Sequence, residues 1–308
     1  MRRLLIALTA AVVAAALTGC GSSGGAVGGA SRGGRLRVVA TTTQVQDFTR
    51  AIGGDRIQLT GILKPNVDPH DYEPSPADVD AIARADLLII NGVGLERWLQ
   101  DTVESAGFDG TTVDTSKGVP IRQGGTEDPA GDPHIWQNPR NAKLMVATIE
   151  RALASADRAD ASWFQRNLDA YDAKLDALDA EVARQIDSLA NRKLVTNHDA
   201  FGYYIDRYHL DFIGSIIPSF DTSAELSARD VAEIVAKIRA TGVKAVFSET
   251  SLPPRTAETI AGEAHVKVVE GPSALYGDTL GPAGSDGATY LQMIEHNTRT
   301  IVANLGST

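Results

Sequence analysis

The stretch "ASWFQRNLDAYDAKLDALDAEVARQIDSLA", Ala161 to Ala190, decides how the rest of the chain is organised. Its apolar residues fall at Phe164, Leu168, Tyr171, Leu175, Leu178, Val182, Ile186 and Leu189, the three- and four-residue spacing of one helix face. No Gly or Pro interrupts it, and its other positions are densely charged. At about 1.5 Å per residue such a helix is roughly 40 Å long, enough to cross two lobes. The spacing also satisfies a heptad, so a coiled-coil dimer is the alternative. A spine within one chain fits better, because the segments on both sides need a surface to pack on.

Those segments have an α/β rhythm. Before the spine, the apolar runs Leu36 to Ala40 and Leu87 to Ile90 read as buried strands. Between them "SPADVDAIARA" carries three agreeing helix-start signals: a Ser75 cap, Pro76 at the first helical position and Asp78 three residues after the cap. After the spine, "KLVTN", "DFIGSII", "VKAVFSE" and "VKVVE" read as strands, with "SARDVAEIVAKIRATG" and "PPRTAETIAGEA" as helices. A chain of 308 residues, 43% of them hydrophobic, can bury two cores. The expected fold class is α/β: two α/β lobes, residues 35–160 and 191–308, each with a central, mainly parallel sheet, bridged by residues 161–190 as one long rigid helix.

A formal net charge of −10 argues against phosphate-driven nucleic-acid binding. The amino terminus gives the expected location. Arg2 and Arg3 precede an apolar run, Leu4 to Leu17, that is shorter than the roughly 20 residues of a membrane span and has the order of an export signal. "LTGC", Leu17 to Cys20, resembles the bacterial lipobox. Residues 1–19 are thus expected to be a cleaved lipoprotein signal, Cys20 the lipidated residue, and 20–34 a Gly- and Ser-rich tether. Cys20 is the only cysteine, so neither an intrachain disulfide nor a thiolate metal ligand is available.

Six histidines carry the chemistry: His70, His134, His198, His209, His265 and His296. His70 and His134 each end an Asp-Pro-His tripeptide, in "VDPHDYEP" and "GDPHIWQNP", where proline stiffens the backbone just before the ring. His198 directly follows "KLVTN", at the carboxyl end of a strand, where α/β proteins place ligands. Any one of these is more often structural than functional. Three at strand exits or rigid loops shift the balance toward a metal site.

Four blocks make the resemblance specific. "KPNVDPHDYEPSPADVDAIARADLLIINGVGLERWL", "DPHIWQNP", "TNHDAFGYY" and "YGDTLGPAGSDGATYLQMIEHNT" resemble, in the same order, the metal-binding segments of the solute-binding receptors of zinc and manganese ABC importers, the cluster A-I or TroA/ZnuA-type family. The resemblance covers nearly everything after the tether. It implies a metal site in the cleft between the lobes, with His70 and His134 from the first lobe and His198 and Asp278 from the second. His209, His265 and His296 match no ligand block and read as structural or surface residues. Glu249, at the end of a strand in "FSETSLPP", could orient a ligand imidazole from behind, or equally cap a helix.

The implied protein is no enzyme but an extracytoplasmic receptor, lipid-anchored to the bacterial cell membrane through Cys20. It would act as a monomer, handing Zn2+ or Mn2+ to a membrane permease driven by a cytoplasmic ATPase. Three imidazoles and one carboxylate suit zinc, whereas a bidentate Asp278 would give the higher donor number that manganese accepts. His198 at the third position, where many manganese receptors of the family carry Glu, favours zinc. The rivals are a zinc hydrolase, with Asp278 as base, and a surface adhesin. A rigid spine predicts small lobe movements, confined mainly to the His198 and Asp278 side.

Overall fold

A computed structural model describes residues 34–124 and 129–306. The expected signal segment, the lipidated Cys20 and all of the tether except Gly34 lie outside the described residues.

The first lobe is built on four parallel strands, β1 (Leu36–Ala40), β2 (Ile57–Gly61), β3 (Leu87–Ile90) and β4 (Thr111–Asp114), in the order β2-β1-β3-β4. Helices α1 (Thr43–Gly53), α2 (Pro76–Ala83), α3 (Leu99–Ala106) and α4 (Pro139–Ala156) surround them. Alternate residues feed two different cores, as the two-residue period of a strand requires. Val38, Ala40, Leu87 and Ile89 face the main core, while Val39 and Leu88 face a second one with Ile62 and Ile82. With both faces covered, the strands read as unbroken apolar runs, which is why β1 and β3 begin and end where the sequence places them. Helix α2 starts as expected: the Ser75 hydroxyl accepts from the Asp78 N–H, and the Asp78 carboxylate accepts from the Ser75 N–H.

The spine, α5, runs Ala161–Asp187. Its last turn tightens at Ser188, so it ends three residues before the expected boundary, although Leu189 remains buried. The apolar face is covered within one chain. Helices α1 and α4 pack on it from the first lobe, and α6 (Gly202–Tyr208) and α9 (Tyr290–Leu305) from the second half. The seam that could have made a coiled coil is therefore filled by the protein itself.

The second lobe carries β5 (Lys193–His198), β6 (Asp211–Ile217), β7 (Ala245–Phe247) and β8 (Lys267–Val269), with α7 (Ala228–Thr241) and α8 (Arg255–Ala264). All its pairings are parallel, as two ladders, β5–β6 and β7–β8, with β5 lying beside β7. The β7–β8 ladder has three residue pairs, so both strands are shorter than their apolar runs suggest. Leu194, Ala245 and Phe247 join the main core, and Val195 and Val246 face the opposite side against α7 and α8.

One main core thus runs from the first sheet, across α5, to the second. The segment around Asp278 is tied to the first lobe. Trp136 Nε1 and Gln137 Nε2 donate to Gly277 O at 3.1 and 2.8 Å, and Gln44 Nε2 donates to Asp278 O at 2.9 Å. Leu280 N donates to the Thr43 hydroxyl at 2.8 Å, and Tyr290 N to Asp47 at 2.9 Å. Although it comes late in the chain, the Asp278 segment is thus bonded to the first lobe. The same segment also pairs with the second lobe, where Leu275 N donates to Ser248 O at 2.9 Å and Thr250 N to Leu275 O at 3.0 Å.

Candidate metal centre

The four residues come from four separate segments. His70 lies in the loop between β2 and α2, His134 just before a short helical turn at Ile135–Gln137, His198 at the end of β5, and Asp278 in the loop between β8 and α9. Each offers one ligand atom, and these atoms all lie within 4.8 Å of one another. His134, His198 and Asp278 have no exposed side-chain surface, and His70 retains only a little.

The backbone at both Asp-Pro-His copies is set by the aspartate as well as by proline. The His70 N–H donates to Asp68 Oδ1, and the His134 N–H to Asp132 Oδ1, each at 2.9 Å. Beyond that the copies differ. Asp132 Oδ1 also accepts from His134 Nδ1 at 2.8 Å, whereas Asp68 turns its other oxygen to the Thr222 hydroxyl at 2.6 Å. Behind His198, Glu249 Oε1 accepts from Nδ1 at 2.9 Å and from the backbone N–H at 3.1 Å. Gly277 makes room for this carboxylate, since a Cβ there would collide with Glu249 Oε2.

These bonds determine the chemistry at the centre. A carboxylate can only accept, so the Nδ1 atoms of His134 and His198 carry the protons and their Nε2 atoms present lone pairs. The two Nε2 atoms are 3.3 Å apart, and each is 3.3 Å from an Asp278 oxygen. His70 Nε2 lies 3.8 Å from Asp278 Oδ2. Neither Asp278 oxygen nor His70 Nε2 is aligned for a hydrogen bond, despite complete burial of the atoms. Such orphaned groups cost about 1–3 kcal/mol each unless something else satisfies them. A tetrahedral zinc ion with bonds of about 2.0–2.1 Å has ligand-to-ligand edges of about 3.3–3.4 Å. The donor set and spacing therefore fit a divalent metal. Both Asp278 oxygens face the cluster, which also permits a fifth donor.

Without a metal, protons take up the excess of lone pairs. Burial opposes charge on His134, but the Asp132 and Asp278 carboxylates outweigh it and lift its pKa to about 9. Burial is likewise outweighed at His198, where Asp278 and Glu249 raise it well above the usual imidazole value. Asp278 is held well below the usual carboxylate range, burial being overcome by His198 and His134. His70 behaves oppositely: burial dominates and lowers it to about 4.

A cavity of about 210 Å³, bordered by His70, Gly94, Arg97, Pro133, Phe220 and Asp221, opens beside His70. Arg97 and Asp221 form an ion pair across it. Of the other histidines, His209 and His265 terminate α6 and α8 in left-handed conformations, φ 56° and 59°. His296 is buried, its Nε2 3.0 Å from Ala274 O. All three are away from the cluster, as expected. The sequence reading missed Asp132, although its place two residues before His134 in the repeated tripeptide was a usable signal.

Two α/β lobes on one helical spine, enclosing a buried three-histidine, one-carboxylate cluster, define a metal-binding protein of the cleft type. The family model described as "Zinc-uptake complex component A periplasmic" matches residues 38–304, and the chain belongs to that ZnuA family. The zinc-binding protein TroA of Treponema pallidum is 33% identical over 281 residues, covering 90% of this chain and 91% of that protein. The manganese-binding lipoprotein MntA of Bacillus subtilis is 31% identical over 311 residues, covering 97% and 98%. The solved structure of periplasmic TroA has a TM-score of 0.81 at 31% identity, covering 88% of this chain and 99% of that one. Among the described residues no helix is long and apolar enough to cross a membrane.

Proposed function

We propose that the chain captures a divalent transition metal ion in the cleft through His70, His134, His198 and Asp278, as the substrate-binding component of an ABC importer. The ion is cargo, with zinc favoured and manganese the alternative. The carrying observation is the set of buried lone pairs on His134, His198 and Asp278 spaced 3.3 Å apart. Glu249 orients His198 from behind, and Asp132 does the same for His134. Residues 35–160 and 191–308 act as the two lobes and 161–190 as the spine. Residues 1–19 direct export, and lipidated Cys20 holds the receptor, as a monomer, beside a permease and its ATPase. The family's role is transport, and the chain is read as no enzyme. A hydrolase would need a base outside the ligand set, and in this reading Asp278 is itself a ligand, with both oxygens facing the cluster.

Elemental analysis after chelation and competitive reloading with zinc and manganese tests this reading. One equivalent of metal in the unaltered chain, lost in His134→Ala, supports it, and the reloading preference names the cargo. No bound metal in either form overturns it.

A further inference from the structure

Arg122 ties the carboxylate behind His134 to helix α6 in the other lobe, the helix that follows His198 in the chain. Its Nη1 donates to Asp132 Oδ2 at 2.5 Å, on the carboxylate whose other oxygen holds His134. Its Nε donates to Asp206 Oδ2 at 2.7 Å, on α6. Helix α6 begins four residues after His198, so Arg122 spans from the His134 support to the element that continues the His198 strand. The backbone repeats the connection. Arg122 N–H donates to the Tyr203 hydroxyl at 2.9 Å, and that hydroxyl donates to Asp132 O, also at 2.9 Å. The guanidinium stands 5.7 Å from the centre of the Tyr203 ring. It lies so close over α6 that any Cβ at Gly202 would strike it.

Nothing comparable backs the other imidazole support. Glu249 Oε2 is buried with no hydrogen-bond partner, whereas both Asp132 oxygens are engaged. The two supports thus differ in their backing, and of the two only Asp132 is tied by a guanidinium to a helix of the other lobe. A guanidinium suits this task because its planar fork can hold two carboxylates in fixed directions at once, which a lysine ammonium cannot do with the same rigidity.

We propose that Arg122 is a positioning residue that sets metal specificity by fixing the separation of His134 and His198. The inference rests on the metal-receptor reading above. The 3.3 Å gap between the two Nε2 atoms matches the edge of a zinc tetrahedron. Ions that take more donors and longer bonds need a wider gap. With the arm in place that widening is resisted, and zinc is selected by geometry. With the arm cut, the His198 side yields, zinc loses its preformed site, and manganese loses less.

The test measures zinc and manganese dissociation constants, each metal alone, on the full chain and on Arg122→Gln, Arg122→Lys and Asp206→Asn. Loss of a ligand's outer support costs about 10- to 100-fold in affinity. Arg122→Gln is expected to weaken zinc by about that factor while manganese changes several-fold less, so the zinc-to-manganese ratio falls. Asp206→Asn cuts only the outer arm, on a mostly exposed carboxylate, and decides the matter if Arg122→Gln does not fold. It should lower the ratio by about 3- to 10-fold, and Arg122→Lys should behave like it. A ratio within about twofold of the unaltered chain in Asp206→Asn and in folded Arg122→Gln overturns the proposal, whether both affinities hold or fall together. Failure of the site reading looks different: zinc binding by the unaltered chain would be absent, or would survive His134→Ala.

Discussion

His134 Nε2 and His198 Nε2 stand 3.3 Å apart although 64 residues separate them in the chain. Each is turned toward the other by a carboxylate on its far nitrogen, Asp132 in one case and Glu249 in the other. Two lone pairs held this close favour a proton or a metal ion between them, and that competition governs how the site responds to substitution and to pH.

Removing one support should weaken the site without abolishing it. Glu249→Gln keeps the shape and loses the anionic acceptor, so zinc affinity should fall about 10- to 100-fold by calorimetric competition. Gly277→Ala should have a similar effect, because the added methyl displaces the same carboxylate. Unchanged affinity in both would assign Glu249 a structural role only.

Affinity should climb with pH well past the range of ordinary imidazoles. His134 keeps its proton up to about 9, and His198 is raised as well, so metal must displace protons at every lower pH. Fewer protons compete as pH rises, so binding tightens on the alkaline side. The expected slope is about tenfold per pH unit for each proton displaced, hence about 10- to 100-fold per unit between pH 6 and 8. His70, lowered to about 4, adds nothing above pH 5. A plateau from pH 7 upward would show that unshifted histidines are the ones competing.

The spine should behave as part of a single core. Leu175 is fully buried in the cluster that spans both sheets, and Leu175→Ala should destabilise the whole chain by about 2–5 kcal/mol. Denaturation followed by probes in either lobe should give one coincident transition. Two separated transitions would mean that the lobes fold independently of α5.

His265→Gly should raise stability by about 0.5–1 kcal/mol and leave metal affinity alone. Its left-handed backbone, φ 59°, is one that glycine adopts without strain. A change in affinity would connect the end of α8 to the site.

Much of this was legible in the sequence, for identifiable reasons. Strands β1 and β3 carry their boundaries in apolar patterns, the spine carries its start and its buried face in a helical period, and α2 announces its start through Ser75, Pro76 and Asp78. Helix α4 begins with an equivalent signal, an Asn138 cap followed by Pro139, but that signal is embedded in the "DPHIWQNP" block and was absorbed into it. The three histidines of the candidate site were marked by rigid loops and a strand end. Asp278 was reached only through the family's block order, because "YGDT" has no local feature beyond that of a polar turn. Arg122 was invisible, since its partners lie 10 and 84 residues away and meet it only after folding. The attachment of Asp278 to the first lobe was hidden for the same reason: Gln44 and Asp278 are 234 residues apart.

The bond from Tyr290 to Asp47 brings α9 onto α1, the last and first helices among the described residues. A growing polypeptide that has not yet made α9 therefore lacks this closure of the main core. Until then the four donors are scattered along an open chain and offer no preformed trap. A chain cut short before α9 should emerge as an aggregation-prone fragment that binds metal weakly.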